Sequence, residues 1–214
     1  MIYPTLGLSR KKHLPIFKIL GGTYYPHQAF NLMIKSRKFK KLCNDIFVFK
    51  YNGDTLFFHP LKVVLWINEL SEWKRHYDIL DLQSKTVLDV GAGCGETAAF
   101  FYGLGAKKVI CVEKDQELTK ILYLNKDFNG WDCEIYNEPF SIKHLKLRHD
   151  FAKIDIEGGE SLLLEHKVDL KPTVLEYHKK EIAEGLQKLY NATILSPWID
   201  EVGYAYINCS PPIT

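Results

Sequence analysis

Short apolar runs alternate with stretches of helical spacing from Lys85 to the end of the chain. Thr86 to Val90, Val109 to Glu113, Glu134 to Tyr136, Phe151 to Ile156, Thr173 to Tyr177, Thr193 to Leu195 and Tyr204 to Asn208 predict strands. Glu96 to Leu104, Gln116 to Asn125, Glu160 to His166 and Lys179 to Tyr190 carry the wider period of helices. Strands alternating with helices predict βαβ units, and so an α/β fold: a doubly wound, mostly parallel seven-stranded sheet covered on both faces.

The pattern before Lys85 is different. Residues 28 to 43 read as a basic helix with Phe30, Met33, Ile34 and Phe39 loosely periodic. Ile46 to Phe58 alternates apolar and polar around Asn52-Gly53-Asp54, a hairpin signal because Asn-Gly supplies the positive φ angles of a tight turn. Val63, Val64, Ile67, Leu70, Trp73 and Tyr77 then recur at helical spacing. These elements predict an N-terminal extension over residues 1–83 (helix, hairpin, helix) and a main domain over residues 84–214.

Composition narrows the class. The 214 residues are 46% hydrophobic and 25% charged, which excludes disorder and collagen-like structure. No apolar run approaches the roughly 18 to 20 residues that cross a bilayer, so no membrane span is expected. Cys43, Cys94, Cys111, Cys133 and Cys209 show no C-x-x-C spacing, which argues against a disulfide framework or a zinc site and for the reducing cytoplasm. The net charge of +2 hides an asymmetry: residues 1–50 hold ten Lys or Arg and one acid, Asp45. A segment so basic suits RNA or another polyanion, or else lies as a solvated face against the acidic remainder.

Chemistry enters at the first strand of the main domain. Thr86 to Val90 runs into Gly91-Ala92-Gly93-Cys94-Gly95, and Glu113 ends the next strand. Glycines let a ligand approach the backbone, and a carboxylate at the second strand end accepts both hydroxyls of a ribose. A dinucleotide loop would need glycine at position 96, where Glu96 is bulky and negative, and no G-K-[ST] is present to hold phosphate. A phosphate-free nucleoside cofactor fits better. S-adenosylmethionine has a carboxylate for the loop amides, an amino group and sulfonium for nearby acids, and a ribose for Glu113. Candidate cofactor residues are Asp89, Gly91, Ala92, Gly93, Gly95, Glu113, Lys114 and Asp155, with Asn137 and Glu138 placed to meet the adenine amino group.

A second unusual stretch alternates ionisable Lys153, Asp155 and Glu157 with apolar Ala152, Ile154 and Ile156, setting three charges along one side of a strand end. Such charges need partners; pairing of Lys153 with Asp155 or Glu157 would satisfy them without any catalytic role. Taken together, "VLDVGAGCGETAAFFYGLGAKKVICVEKD", "LNKDFNG", "DFAKIDIEGGE" and "PTVLEYH" resemble the FkbM family of class I S-adenosylmethionine-dependent methyltransferases. The resemblance implies a Rossmann-like methyltransferase sheet and methylation of hydroxyl groups. It assigns Gly91, Gly93, Gly95 and Glu113 to the cofactor and Asp155, Glu157 and Glu176 to the acceptor side.

On that reading the acceptor is a small molecule or carbohydrate-like hydroxyl, Asp155 is the first choice for proton acceptor, and Glu157 or Glu176 are the alternatives. Lys153 or His178 would hold a carboxylate in place or touch the acceptor. Asp155-Ile156-Glu157-Gly158 stands where amine methyltransferases usually carry [DNS]-P-P-[YFW], which counts against N-methylation. The rivals are an RNA methyltransferase gripping phosphates with residues 1–50 and a cofactor-binding scaffold without turnover. Carboxylates at 155, 157 and 176 would suit a hard cation, yet no metal is expected. His144 and His149 read as surface or loop histidines, and Trp66, Trp73, Trp131 and Trp198 as core or lid aromatics.

Overall fold

The computed structural model describes residues 5–8, 15–19, 22–24, 40–43, 46–59, 62–63, 73–77, 81–156, 158–199 and 202–208. The chain divides into two compact units, 1–72 and 73–214. Among the described residues no helix is long and apolar enough to cross a membrane.

The first unit contains two three-stranded antiparallel sheets. β1 (Thr5–Leu8), β2 (Pro15–Ile19) and β3 (Gly22–Tyr24) form one, an element the sequence pattern did not predict. β4 (Lys40–Cys43), β5 (Ile46–Tyr51) and β6 (Asp54–Phe58) form the other. The expected hairpin is present: Tyr51 pairs with Asp54 across Asn52 and Gly53, whose φ angles of 47° and 94° are those of a two-residue turn that follows strand twist. The basic helix expected over 28–43 is corrected at its end, because residues 40–43 extend and pair with β5; the rest of it lies outside the described residues. Residues 62–63 are helical, as expected.

The second unit opens with helical residues 73–77, where Trp73 and Tyr77 are buried. Its strands are β7 (Thr86–Val90), β8 (Lys108–Val112), β9 (Cys133–Tyr136), β10 (Phe151–Ile154), β11 (Thr173–Tyr177), β12 (Thr193–Ile199) and β13 (Val202–Ile207). Between them run α1 (Glu96–Gly103), α2 (Gln116–Asn129), α3 (Ser161–His166) and α4 (Lys180–Tyr190). The seven-stranded sheet has the order β12-β13-β11-β10-β7-β8-β9. Strands β9, β8, β7, β10 and β11 are parallel, and β13 runs antiparallel to both β11 and β12. Val87, Leu88, Val109, Ala152, Ile154, Val174 and Leu175 are at most barely exposed, as strands covered on both faces require.

This order creates the site. The chain lays β8 and β9 on one side of β7, then returns to lay β10 and β11 on the other. Loops leaving β7 and β10 therefore part in opposite directions, and a crevice opens beyond their carboxyl ends.

Candidate functional site

The loop after β7 is folded tightly on itself. Gly91, Gly93 and Gly95 have φ angles of 74°, 57° and 90°, a region that side chains with a Cβ avoid. At Gly91 space adds a second constraint, since a Cβ there would run into the Asp155 backbone carbonyl. Backbone donors of the loop are all taken. Gly91 and Ala92 donate to the Val112 carbonyl, Gly95 donates to the Ala92 carbonyl, Gly93 donates to Glu113 Oε2 at 2.8 Å, and Cys94 donates to Glu96 Oε2 at 2.6 Å. Asn125, on α2, donates from Nδ2 to the Cys94 carbonyl at 2.8 Å. The loop is thus rigid, and it does not offer an anion the row of open N–H groups expected from its sequence.

Glu113 sits just past β8, is 8% exposed, and also accepts from Asp115 N at 2.8 Å through Oε1. Each of its oxygens has one further lone pair, which is what two adjacent ribose hydroxyls need. Asn137 donates from Nδ2 to the Glu113 carbonyl and to Thr119 Oγ1, both at 2.9 Å, so its carbonyl oxygen is the part left for an adenine amino group. Lys114 is exposed beside Glu113.

Lys153 ties the two sides of the crevice together. Its side chain is 3% exposed, and Nζ donates to the carbonyls of Val90 at 3.1 Å and Gly91 at 2.8 Å. It stands 3.4 Å from Asp89 Oδ1 and 3.6 Å from Asp155 Oδ2. Burial alone would lower its pKa, but the carboxylates of Asp89, Asp155, Glu176 and Glu96 more than reverse this and hold it well above the ordinary lysine value. Asp89 is wholly buried and also accepts from the Thr97 hydroxyl. Desolvation pushes its pKa up, and Lys153 and Thr97 pull the other way.

Beyond Lys153 lie the residues that the sequence reading set on the acceptor side. Asp155, Glu176 and His178 each offer an atom within 4.8 Å of the others, and all three are partly exposed. His178 Nε2 is 3.5 Å from Glu176 Oε1, and its Nδ1 is 2.7 Å from Oε1 of Glu160, which is 0% exposed. The hydrogen bond with Glu176, joined by that with Glu160 and opposed by burial, raises the His178 pKa to about 9. Glu157 lies outside the described residues.

Of the predicted residues, then, Asp89, Gly91, Lys153 and Asp155 meet at one point, Gly93 and Glu113 at the next, and Glu176 with His178 beside Asp155. Sequence reasoning missed three contributors. Glu96 was read only as an obstacle to a phosphate, yet its buried carboxylate caps the loop amide of Cys94. Thr97 holds Asp89 and Glu160 holds His178, and the second acid of E-G-G-E is the one sequence signal that points to Glu160. His149 lies in a loop, as expected, but neither it nor His144 is at the surface: they are 7% and 2% exposed, with rings bonded to the Leu147 carbonyl and to Glu138. Trp73 and Trp131 are buried, as expected for core aromatics. A cavity of about 650 Å³ opens at the amino ends of β7 to β9, by Thr86, Lys108 and Glu134, and shares no residue with the crevice.

Sheet order and crevice define the class: the second unit has the Rossmann-like fold of class I S-adenosylmethionine-dependent methyltransferases. The chain is similar to M. jannaschii TYW2 solved in complex with AdoMet, with a TM-score of 0.55 and 17% identity over 79% of this chain and 87% of that one. It is similar to the T. thermophilus 16S rRNA methyltransferase RsmC in complex with AdoMet and guanosine, with a TM-score of 0.50 and 14% identity over 97% of this chain and 58% of that one. A dimethyladenosine transferase from Plasmodium falciparum gives a TM-score of 0.52 and 20% identity over 67% of this chain and 62% of that one. No protein-family model matches. Among curated proteins, Uncharacterized protein 65 of Sulfolobus islandicus filamentous virus is 43% identical over 93 residues, 43% of this chain and 58% of that protein. Uncharacterized protein 158B of Sulfolobus islandicus rod-shaped virus 1 is 35% identical over 65 residues, 30% of this chain and 39% of that protein. The chain thus spans well under two thirds of either viral relative.

Proposed function

We propose that this chain is a methyltransferase that uses S-adenosylmethionine, and that its acceptor is a hydroxyl oxygen of a small molecule, as in the FkbM family whose motifs it resembles. The observation that carries the reading is the crevice itself: Glu113 at the end of β8, beside a closed glycine loop, with Lys153 and Asp155 across the switch point. Glu113 holds the ribose, and the acidic wall of Asp155, with the buried Glu96 behind the loop, favours a cofactor bearing an ammonium and a sulfonium over one bearing phosphates. We assign the protein to the cytoplasm on the sequence argument alone.

Methyl transfer is an in-line displacement. The acceptor oxygen forms a bond to the methyl carbon, the carbon–sulfur bond breaks, and sulfur keeps the electron pair to become a neutral thioether. Alignment of the two reactants is worth on the order of 7 to 11 kcal/mol. Asp155 takes the hydroxyl proton; its Oδ1 is buried without a hydrogen-bond partner, while Oδ2 is steadied by Lys153. A positioned base of this kind adds roughly 10² to 10⁴ in rate.

RNA is the second reading, favoured by the basic first fifty residues and by the nucleic-acid substrates named for the structural neighbours. Calorimetry with S-adenosylmethionine, S-adenosylhomocysteine and NAD tests the cofactor, and binding of NAD alone would reverse the choice. Labelled cofactor incubated with total RNA or with a small-molecule extract then separates the acceptors. On the labelled acceptor, Asp155→Asn lowers kcat by about 10² or more at saturating cofactor; undiminished turnover removes Asp155 from the chemistry.

A further inference from the structure

Asp155, Glu176 and His178 come together from two neighbouring strand ends, the first following β10 and the others in or just after β11. Their charges do not balance. Four carboxylates, of Asp89, Asp155, Glu160 and Glu176, gather round one lysine and one histidine, and Asp89 is already committed to Lys153. Three of the oxygens are buried with no hydrogen-bond partner: Asp89 Oδ1, which lies 3.4 Å from Lys153, Asp155 Oδ1, and Oε2 of Glu160, whose side chain is wholly enclosed against His178. Unsatisfied buried oxygens at a clustered site call for a cation or a donor.

The histidine is oriented as a metal ligand is. Glu160 engages Nδ1 at 2.7 Å and leaves Nε2 facing Glu176 at 3.5 Å, so an ion that displaces the Nε2 proton meets a nitrogen already set beside a carboxylate. Metal-bound histidines almost always give their other nitrogen to a carboxylate in this way. Ligand atoms about 2.1 Å from one ion lie about 3 to 4.2 Å apart, so the 3.5 Å between His178 Nε2 and Glu176 Oε1 already suits one ion, and the three atoms, all within 4.8 Å of one another, converge on it by side-chain shifts of about 1 Å. Partial exposure of all three residues leaves the remaining positions open to oxygen ligands.

We propose that Asp155, Glu176 and His178 Nε2 bind one divalent first-row transition ion of the Mn²⁺ class, with Glu160 as the residue that positions His178, and that the open positions hold the acceptor's oxygen. One imidazole with two carboxylates suits such an ion better than Mg²⁺, which prefers oxygen throughout. The inference rests on the methyltransferase reading for its purpose, but not for its test.

The probe is Mn²⁺ alone, added to the full chain and followed by loss of the free-ion electron paramagnetic resonance signal. One ion binds per chain, and the spin-echo modulation of the bound ion shows one directly coordinated nitrogen. His178→Ala and Glu176→Gln weaken binding by at least about ten-fold, and Glu160→Gln by about 10- to 100-fold, while all three keep their affinity for S-adenosylmethionine. No saturable Mn²⁺ binding, binding without nitrogen modulation, or equal affinity for Mg²⁺ overturns the proposal. The modulation is read on the unaltered chain, so a variant that fails to fold does not remove the test. Mn²⁺ bound through nitrogen with no binding of S-adenosylmethionine would leave the metal site standing and sink the methyltransferase reading. Cofactor binding without Mn²⁺ would do the reverse.

Discussion

Replacing Lys153 by Met tests the link between the two sides of the crevice. The change keeps most of the apolar stem and removes an ammonium that donates to two carbonyls, at 3.1 and 2.8 Å, and pairs with Asp89 and Asp155. Its chief cost is the state of Asp89, which is 0% exposed and keeps only Thr97 as a donor. Breaking one partner out of a buried ion pair costs about 3–5 kcal/mol, equivalent to roughly 6–20 °C in Tm for a chain of this size. The pH dependence has a definite sign. Burial already raises the Asp89 pKa above its ordinary 3.8, and loss of Lys153 raises it further. A carboxyl whose folded pKa lies above its unfolded value penalises folding increasingly as pH rises through that interval. The variant is therefore less impaired at mildly acidic pH than at neutral pH. Adding Asp89→Asn restores part of the loss, because the stranded charge is gone, and the double-mutant cycle shows a coupling of about 1–3 kcal/mol. Urea unfolding followed by circular dichroism measures all three. A loss below about 1 kcal/mol for Lys153→Met, or strict additivity with Asp89→Asn, refutes the claim that this ammonium holds the strand ends together.

Gly91→Ala places a methyl against the Asp155 carbonyl at a φ of 74°, so it lowers affinity for S-adenosylmethionine by at least about ten-fold through displacement of the loop; calorimetry on a folded variant with native affinity would contradict this. Glu113→Gln removes a charged acceptor for the ribose and weakens cofactor binding by about 10- to 100-fold, measured in the same titration; an unchanged Kd would dissociate Glu113 from the cofactor. His149 is buried and its pKa is lowered by desolvation, so the folded state favours the neutral ring. Its contribution is complete above the unfolded pKa near 6.5 and is lost as pH falls toward the lower folded value. Tm accordingly drops between neutral pH and about pH 5, and less so in His149→Gln; parallel pH profiles would argue against it.

What could be read from sequence was local. β7 and β11 match their predicted bounds residue for residue, because short runs such as Thr173-Val-Leu-Glu-Tyr177 stand between turn signals and have no competing period. The hairpin at Asn52-Gly53 was legible for the same reason. Elements set by pairing were not. Lys40–Cys43 is extended because β5 begins three residues later and supplies hydrogen bonds that the weak apolar period of 28–43 could not outweigh. β12 continues through Pro197, four residues past its expected end, because it is an edge strand with register shifts around Ser196, where a missing N–H is tolerated. In the site, Gly91 to Gly95 and Glu113 were visible through spacing alone. The Glu160–His178 contact joins residues 18 apart in sequence and depends on how α3 leaves β10, which no local pattern encodes.

The largest departure from expectation bears on the ligand. A glycine loop before a helix suggests open amides for an anion, and here every amide from Gly91 to Gly95 already has an acceptor, two of them carboxylates. Placing a pyrophosphate there would set it against Glu96 and Glu113 and leave it without donors from the loop, at a cost of several kcal/mol for each charge left unpaired. A sulfonium or ammonium meets the same carboxylates with attraction, and a ribose needs only their spare lone pairs. Substituting Glu96 by Gln, which keeps an acceptor for Cys94 N while removing the charge, therefore weakens S-adenosylmethionine more than adenosine. Equal effects on both ligands would mean that the acidic wall plays no part in choosing the cofactor.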